Sequence, residues 1–371
     1  MIEPIELYCL DVINGKKRGF MATLLLLCLL PLSWIYKVVV AFRNWGYDQG
    51  WLRSYSPPIP VVISVGNIVA GGTGKTPVTL MLAREFSSTS SVAIISRGYR
   101  SKAEKMANPI VLSKGQGPMH PASYCGDEPY MLAQNLPGVC VFVGKDRHKA
   151  SNIAAKAGVQ LLLLDDGMQH RRLARDFEVV VIDARDPFGH GYFLPRGMLR
   201  ESLSSLSRAD VIVLNHAYDA KKCTEACQKI AKYTTAPVIA TKTEVEEIFD
   251  FQGHPVKSPY PFKKVAIFCG IAHPDYFENT VSDIGLEVVD RYVIPDHMEY
   301  DPQALIKFAK QSRGAGAECL ICTEKDRVKL VDRLEIPLPI YWIRMRLVFV
   351  EGEVYWKEFV NQVKQDLSQR L

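Results

Sequence analysis

The sequence predicts an α/β fold built around a mostly parallel sheet. Three observations carry that expectation. Short runs rich in β-branched residues or leucine recur along the chain, as at residues 61–65 (VVISV), 161–164 (LLLL) and 179–182 (VVVI). Each has the length of a buried strand and falls short of a helix. Stretches of helical composition, such as YMLAQNL and HKASNIAAKA, separate these runs, and strands alternating with helices imply a parallel sheet. The third observation is compositional: 371 residues, 48% hydrophobic and 23% charged, make a globular chain long enough for two domains or one large α/β unit.

The elements follow in order. Residues 20–36 read FMATLLLLCLLPLSWIY, 17 positions without charge, preceded by Lys16-Lys17-Arg18 and followed by Lys37. That length sits at the lower bound for a membrane span, and Pro31 weakens a straight helix. No small-x-small site closes the run, which argues against a cleaved signal peptide. A membrane span, a helix lying in the interface and a buried core helix remain. Trp34, Tyr36, Trp45 and Trp51 favour the membrane interface. Basic residues on both sides leave the orientation open.

The next stretch, VVISVGNIVAGGTGKTPVTLMLA (residues 61–83), is a strand, a glycine-rich turn and the start of a helix. Such a turn points backbone N–H groups inward at a helix N-terminus, where they cradle an anion. Gly71, Gly72, Thr73 and Gly74 supply that cradle. Lys75 reaches the outer phosphates of a nucleotide, and the Thr76 hydroxyl ligates Mg²⁺. The fold expectation therefore sharpens to a P-loop NTPase-type sheet flanked by helices. The motif G-x-x-x-x-G-K-[ST] asks for Gly where Val69 stands. The local GGxGKT form also occurs in partitioning ATPases, which carry a Lys where this chain has Ala70.

Further along, SVAIIS is a strand ending in a polar turn, and residues 103–121 read as a Gly/Pro-rich loop. Gly126-Asp127-Glu128-Pro129 opens a helix. Asp127 is either its N-cap or a functional carboxylate. The leucine run at 161–164 delivers Asp165 and Asp166 to a strand end, where open α/β sheets bind ligands and where P-loop enzymes hold Mg²⁺. FGHGYFLPRGMLRE (residues 188–201) reads as an ordered loop in which Arg196 and Arg200 suit phosphate. Asp296-His297 is a loop pair, and Thr323-Glu324-Lys325-Asp326 follows a strand. Cys319 and Cys322 form a CxxC inside an apolar run, which reads first as buried small residues. Nine cysteines without a regular framework fit reduced thiols in a cytosolic compartment. A net charge of +5 suits anionic substrates or anionic lipid and gives no reason to invoke nucleic acid.

Together, VGNIVAGGTGKTP, SRGYRS, CGDEP, DDGMQHRRLARD, LPRGMLRE, GIAHP, PDHMEY and TEKD resemble the words of the tetraacyldisaccharide 4′-kinase family, in that family's order over roughly residues 60–330. Met168 stands where Phe is usual. The resemblance implies two α/β/α lobes and an N-terminal hydrophobic helix. It also implies ATP-dependent phosphorylation of a tetraacyldisaccharide 1-phosphate at the 4′-hydroxyl, giving the bis-phosphorylated lipid A precursor. On that basis Lys75 and Thr76 serve nucleotide and Mg²⁺, Asp165 and Asp166 are the acidic pair at the metal, and Arg200 binds phosphate. Asp127 is the general base and His297 its partner. The expected partners are ATP, Mg²⁺, the lipid substrate and a membrane surface, with no obligate protein partner. The expected location is the cytoplasmic face of the inner membrane of a Gram-negative bacterium. The expected division is residues 1–50 as the N-terminal segment, 51–220 as the P-loop core and 221–371 as a second lobe. The rival reading is a membrane-recruited ATPase switch of the partitioning type.

Overall fold

The computed structural model describes residues 4–371 apart from 14, 272, 296–297 and 331–334, so His297 lies outside the described residues. Helices α1 (Pro4–Ile13) and α2 (Phe20–Asp48) come first, then strand β1 (Val61–Gly66), α3 (Lys75–Ser87) and β2 (Val92–Ser96). Next are β3 (Ile110–Lys114), α4 (Ala122–Cys125), α5 (Asp127–Asn135), β4 (Cys140–Val143), α6 (Arg147–Lys156), β5 (Leu161–Asp165), β6 (Phe177–Asp183) and β7 (Val211–Asn215). The chain continues through α7 (Ala220–Ile230), β8 (Val238–Asp250), β9 (Pro255–Val256), β10 (Lys264–Cys269), α8 (Pro274–Asp283), β11 (Glu287–Val293) and α9 (Pro302–Gly314). It ends with β12 (Cys319–Thr323), α10 (Glu324–Arg327), β13 (Ile340–Glu351) and α11 (Glu353–Arg370).

These elements form two compact units. One comprises Met1–Ile95, Arg147–Lys242 and Phe349–Leu371; the other comprises Ser96–Asp146 and Thr243–Val348. The linear division expected at 220 gives way to this discontinuous one. Parallel strands are joined by crossovers, so a chain can leave a compact unit after one strand and return to it later.

In the first unit the sheet is parallel throughout, in the order β2-β5-β1-β6-β7-β8, with Val61 opposite Leu161 and Ile63 opposite Phe177. Every residue of β1, β5, β6 and β7 is buried, as expected of a parallel sheet covered on both faces. That is why these strands read as unbroken apolar runs. Their C-terminal ends (Gly66, Asp165, Asp183 and Asn215) lie at one sheet edge, where ligands bind in such folds.

The apolar run at 20–36 begins a helix that continues to Asp48, with Pro31 inside it. Only 11% of its most apolar window is buried. Leu27, Trp34, Ile35 and Val39 are exposed, while Val40 joins the core beside Ile68 and Leu199. Ser33 donates to the Phe193 carbonyl at 2.7 Å, and Arg43 and Asn44 donate to the buried Glu201 carboxylate at 3.0 and 2.6 Å. The helix is thus held along one face and bare along the other, unlike a core helix. It is long and apolar enough to cross a membrane.

In the second unit β11-β10-β12-β13 form a parallel sheet. Two antiparallel pairs depart from the parallel pattern: β3 with β4, and the end of β8 with β9. Strand β3 lies inside the stretch read as a loop. Its apolar Ile110-Val111-Leu112 is too short to stand out in sequence, and pairing with β4 recruits it. Cys319 and Cys322, three apart on β12, pack into cores on opposite faces of the sheet, as the two-residue period of a strand requires. Burial pushes both thiols up, so the CxxC is packing rather than a metal or redox pair.

Candidate active site

Helix α3 begins at Lys75, and Gly74 before it is left-handed at φ +85°. A Cβ there would stand 1.9 Å from the Asn215 amide nitrogen, so both the backbone angle and the neighbour demand glycine. Two fully buried asparagines fix the turn from inside. Asn215, the last residue of β7, donates to the Thr73 carbonyl at 3.2 Å, and Asn67, just after β1, donates to the Thr73 hydroxyl at 2.9 Å.

The missing glycine at position 69 has a structural reason. Val69 is buried and makes a β-bridge to Leu199, and the Ala70 N–H donates to the Met198 carbonyl at 2.7 Å. A side chain and an extended backbone are needed there, so the first glycine of the turn, Gly71, comes two residues later than the motif predicts.

At the adjoining strand end the structure brings together Lys75, Asp166 and Arg200. The Lys75 ammonium lies 3.5 Å from Asp166 Oδ1, and the Arg200 fork grips both Asp166 oxygens at 2.9 and 3.1 Å. Arg200 also donates to the Asn67 side-chain oxygen at 3.1 Å. Arg147, 4% exposed, donates to the Asp165 carbonyl at 2.7 Å. Burial alone would raise the Asp166 carboxyl, but Lys75, Arg200 and Arg147 outweigh it and hold the group well below the usual carboxylate range. Asp166 itself has φ +50°, an uncommon value for a residue with a side chain. Three cations beside a glycine-rich turn at a helix N-terminus make a site suited to a polyphosphate.

Mg²⁺ takes oxygen ligands and usually keeps several waters, binding through one or two carboxylates together with substrate phosphates. Thr76, Asp165 and Asp166 offer a hydroxyl and two carboxylates, and Asp166 is firmly ionised. Among the described residues no group of three His, Cys, Asp or Glu gathers to hold a metal, so the ion would depend on these few oxygens together with phosphate and water. The donor set fits the ion.

The next strand ends hold residues that sequence reading did not single out. Asp183, closing β6, accepts from Arg185 Nε at 2.8 Å and pairs with His216 Nδ1 at 3.0 Å. Burial opposes its ionisation, yet the hydrogen bonds from Arg185 and His216 keep it well below the usual range. The available signal for Asn67, Asp183 and Asn215 was positional: each is the polar residue that ends an apolar strand run.

In the second unit Asp127 is the first residue of α5. Gly126, at φ +97°, is the cap residue and Asp127 lies one position inside the helix, so the N-cap reading passes from Asp127 to Gly126.

A parallel sheet that presents a glycine cradle, its lysine and an acidic strand end along one edge belongs to the P-loop nucleotide-binding class. Within that class the chain belongs to the tetraacyldisaccharide-1-P 4′-kinase family, whose model matches residues 25–365. It is 38% identical over 345 residues to the tetraacyldisaccharide 4′-kinase of Syntrophotalea carbinolica, covering 92% of this chain and 90% of that one. It is 34% identical to the enzyme of the same name from Pelobacter propionicus, covering 95% and 96%. The kinase of Chlamydia abortus is 36% identical over 87% of this chain and 86% of its own. The crystal structure of LpxK from Aquifex aeolicus, an "apo" form in complex with ATP, superposes with a TM-score of 0.74 at 28% identity, covering 91% of this chain and 99% of that one. The partitioning-type rival is not favoured, since position 70 is alanine and the family model and relatives are those of the kinase.

Proposed function

We propose that this chain is an ATP-dependent kinase of lipid A synthesis, phosphorylating the 4′-hydroxyl of a tetraacyldisaccharide 1-phosphate. The observation that carries the reading is the Lys75–Asp166–Arg200 cluster beside the Gly74 turn, a cationic cradle at the C-terminal edge of a parallel sheet. The 4′-oxygen attacks the γ-phosphorus, the bond from that phosphorus to the β,γ-bridging oxygen breaks, and ADP leaves. Phosphoryl transfer of this kind depends on positioning and charge neutralisation. The N–H groups of Gly71, Gly72 and Gly74 hold the phosphates, joined by that of Thr73 once it gives up the Gly71 carbonyl to which it donates at 3.1 Å, and Lys75 meets the γ-phosphate. Arg200 exchanges part of its grip on Asp166 for phosphate oxygen. Mg²⁺, held by Thr76, Asp165 and Asp166, supplies further charge neutralisation when bound. Asp127 accepts the hydroxyl proton, with His297 as its partner.

The lipid's acyl chains stay in the bilayer, and the bare face of α2 gives the enzyme a way to work at that surface. ATP places the nucleotide site on the cytoplasmic face of the inner membrane.

The test is Lys75→Ala. Its product is followed with ATP and tetraacyldisaccharide 1-phosphate, alongside circular dichroism. We expect loss of the bis-phosphorylated lipid with the fold intact. Near-wild-type lipid phosphorylation by this variant would sink the proposal, and ADP formation by the wild type without any phosphorylated lipid would point to a switch.

A further inference from the structure

The TEKD word, residues 323–326, has no place yet in the chemistry. Within the second unit it forms the seat of helix α5. Thr323 caps α10, its hydroxyl accepting from the Asp326 N–H at 3.2 Å. Glu324 accepts from the Asn135 amide at 2.9 Å, at the far end of α5. Lys325 pairs with Glu128 at 3.2 Å. Asp326 is fully buried, accepting from Thr323 Oγ1 at 2.6 Å and from the Gly270 N–H at 2.9 Å.

Asp326 also holds the Lys329 ammonium at 3.1 Å, and that ammonium lies 3.9 Å from Asp127 Oδ2. The Lys329 side chain is 3% exposed, and it donates a further hydrogen bond to the Gly270 carbonyl at 3.4 Å. A buried lysine tied to one buried carboxylate needs no second one for its own stability. Its reach toward Asp127 is therefore informative. The aliphatic stem cannot wander, because Asp326 is itself pinned by a hydroxyl and a backbone amide.

We infer that Lys329 is a positioning residue for Asp127, its ammonium orienting the carboxylate to receive the proton of the acceptor hydroxyl. Thr323, Gly270 and Asp326 form the chain that holds Lys329, and α10 holds the helix that carries Asp127. The inference rests on the reading of Asp127 as the base. No new covalent step is added: the proton still goes from the 4′-hydroxyl to Asp127.

The experiment uses the full chain with ATP and tetraacyldisaccharide 1-phosphate. Steady-state kcat and KM are measured for Lys329→Met, Lys329→Arg, Asp127→Asn and the Asp127→Asn/Lys329→Met double variant, with thermal melts on each. Lys329→Met should lower kcat by about 10–100-fold, the loss that misplacing a reacting group by about an ångström produces. KM for ATP should stay within about twofold, since uniform binding is untouched. Lys329→Arg should recover most of the rate, and Lys329→Met should cost little more in the Asp127→Asn background. A folded Lys329→Met variant with wild-type kcat, or losses that multiply in the double variant, overturns the role of Lys329 while the base reading stands. Wild-type kcat in Asp127→Asn overturns the base reading and this inference with it. Should methionine prevent folding, Lys329→Gln is held to the same criteria.

Discussion

Replacing Gly74 with alanine probes the cradle at its tightest point. At φ +85° a Cβ costs about 1–2 kcal/mol in backbone strain. The same Cβ would stand 1.9 Å from Asn215 Nδ2, and Asn215 is fully buried, so its amide cannot swing into solvent. It must release the Thr73 carbonyl, which loses about 1–2 kcal/mol more through a broken hydrogen bond and a buried acceptor left unpaired. The sum of roughly 3 kcal/mol falls on the phosphate-binding conformer and corresponds to about a hundredfold weaker ATP binding. Calorimetric titration with ATP measures it, in Gly74→Ala, Asn215→Ala and the double variant. Removing the amide relieves the clash, so the double variant should be better than the sum of the singles by about 1 kcal/mol. Strict additivity, or wild-type ATP affinity in Gly74→Ala, would refute the account.

Three further outcomes are expected. Asp183 is held below its ordinary range, so its ionised form stabilises the fold above about pH 4 and that contribution disappears as pH falls through the folded-state value. Asp183→Asn should therefore show a shallower loss of stability than wild type in denaturant melts below about pH 4, and parallel curves would contradict this. Leu27→Glu with Ile35→Glu, on the bare face of α2, should weaken binding to anionic vesicles and leave ATP affinity unchanged; unchanged vesicle binding would remove the membrane role of that face. Val69→Gly restores the motif letter but empties a buried bridge position, and should lower thermal stability by about 2–4 kcal/mol, read by denaturant melts.

What could be read from sequence divides along physical lines. The turn from Gly71 to Thr76 was legible because a phosphate cradle is contiguous: its N–H groups, lysine and hydroxyl must be neighbours in the chain. The parallel strands were legible because burial on both faces leaves an unbroken apolar run. Asn215 and Arg147 were not, since their importance lies in what they touch. One reaches Thr73 from a strand 142 residues away, and the other reaches the Asp165 carbonyl from 18. Lys329 was hidden for the same reason, because nothing near it in sequence mentions Asp127. The discontinuity of the units was not legible, because a linear cut cannot describe a chain that leaves one unit after β2 and returns to it at α6.

The loop at 188–201 touches both α2 and the nucleotide turn. Phe193 and Glu201 grip the helix through Ser33, Arg43 and Asn44. Met198, Leu199 and Arg200 bind the turn through Ala70, Val69 and the Ile68 carbonyl. With α2 embedded in a bilayer, this loop becomes a spacer of fixed height between the lipid surface and the phosphate to be transferred. A lipid whose sugar sits at the matching depth is presented to ATP without having to leave its leaflet. On the proposed reading the enzyme would then select by altitude as well as by shape, because the segment that grips α2 is continuous with the one that seats the phosphate turn.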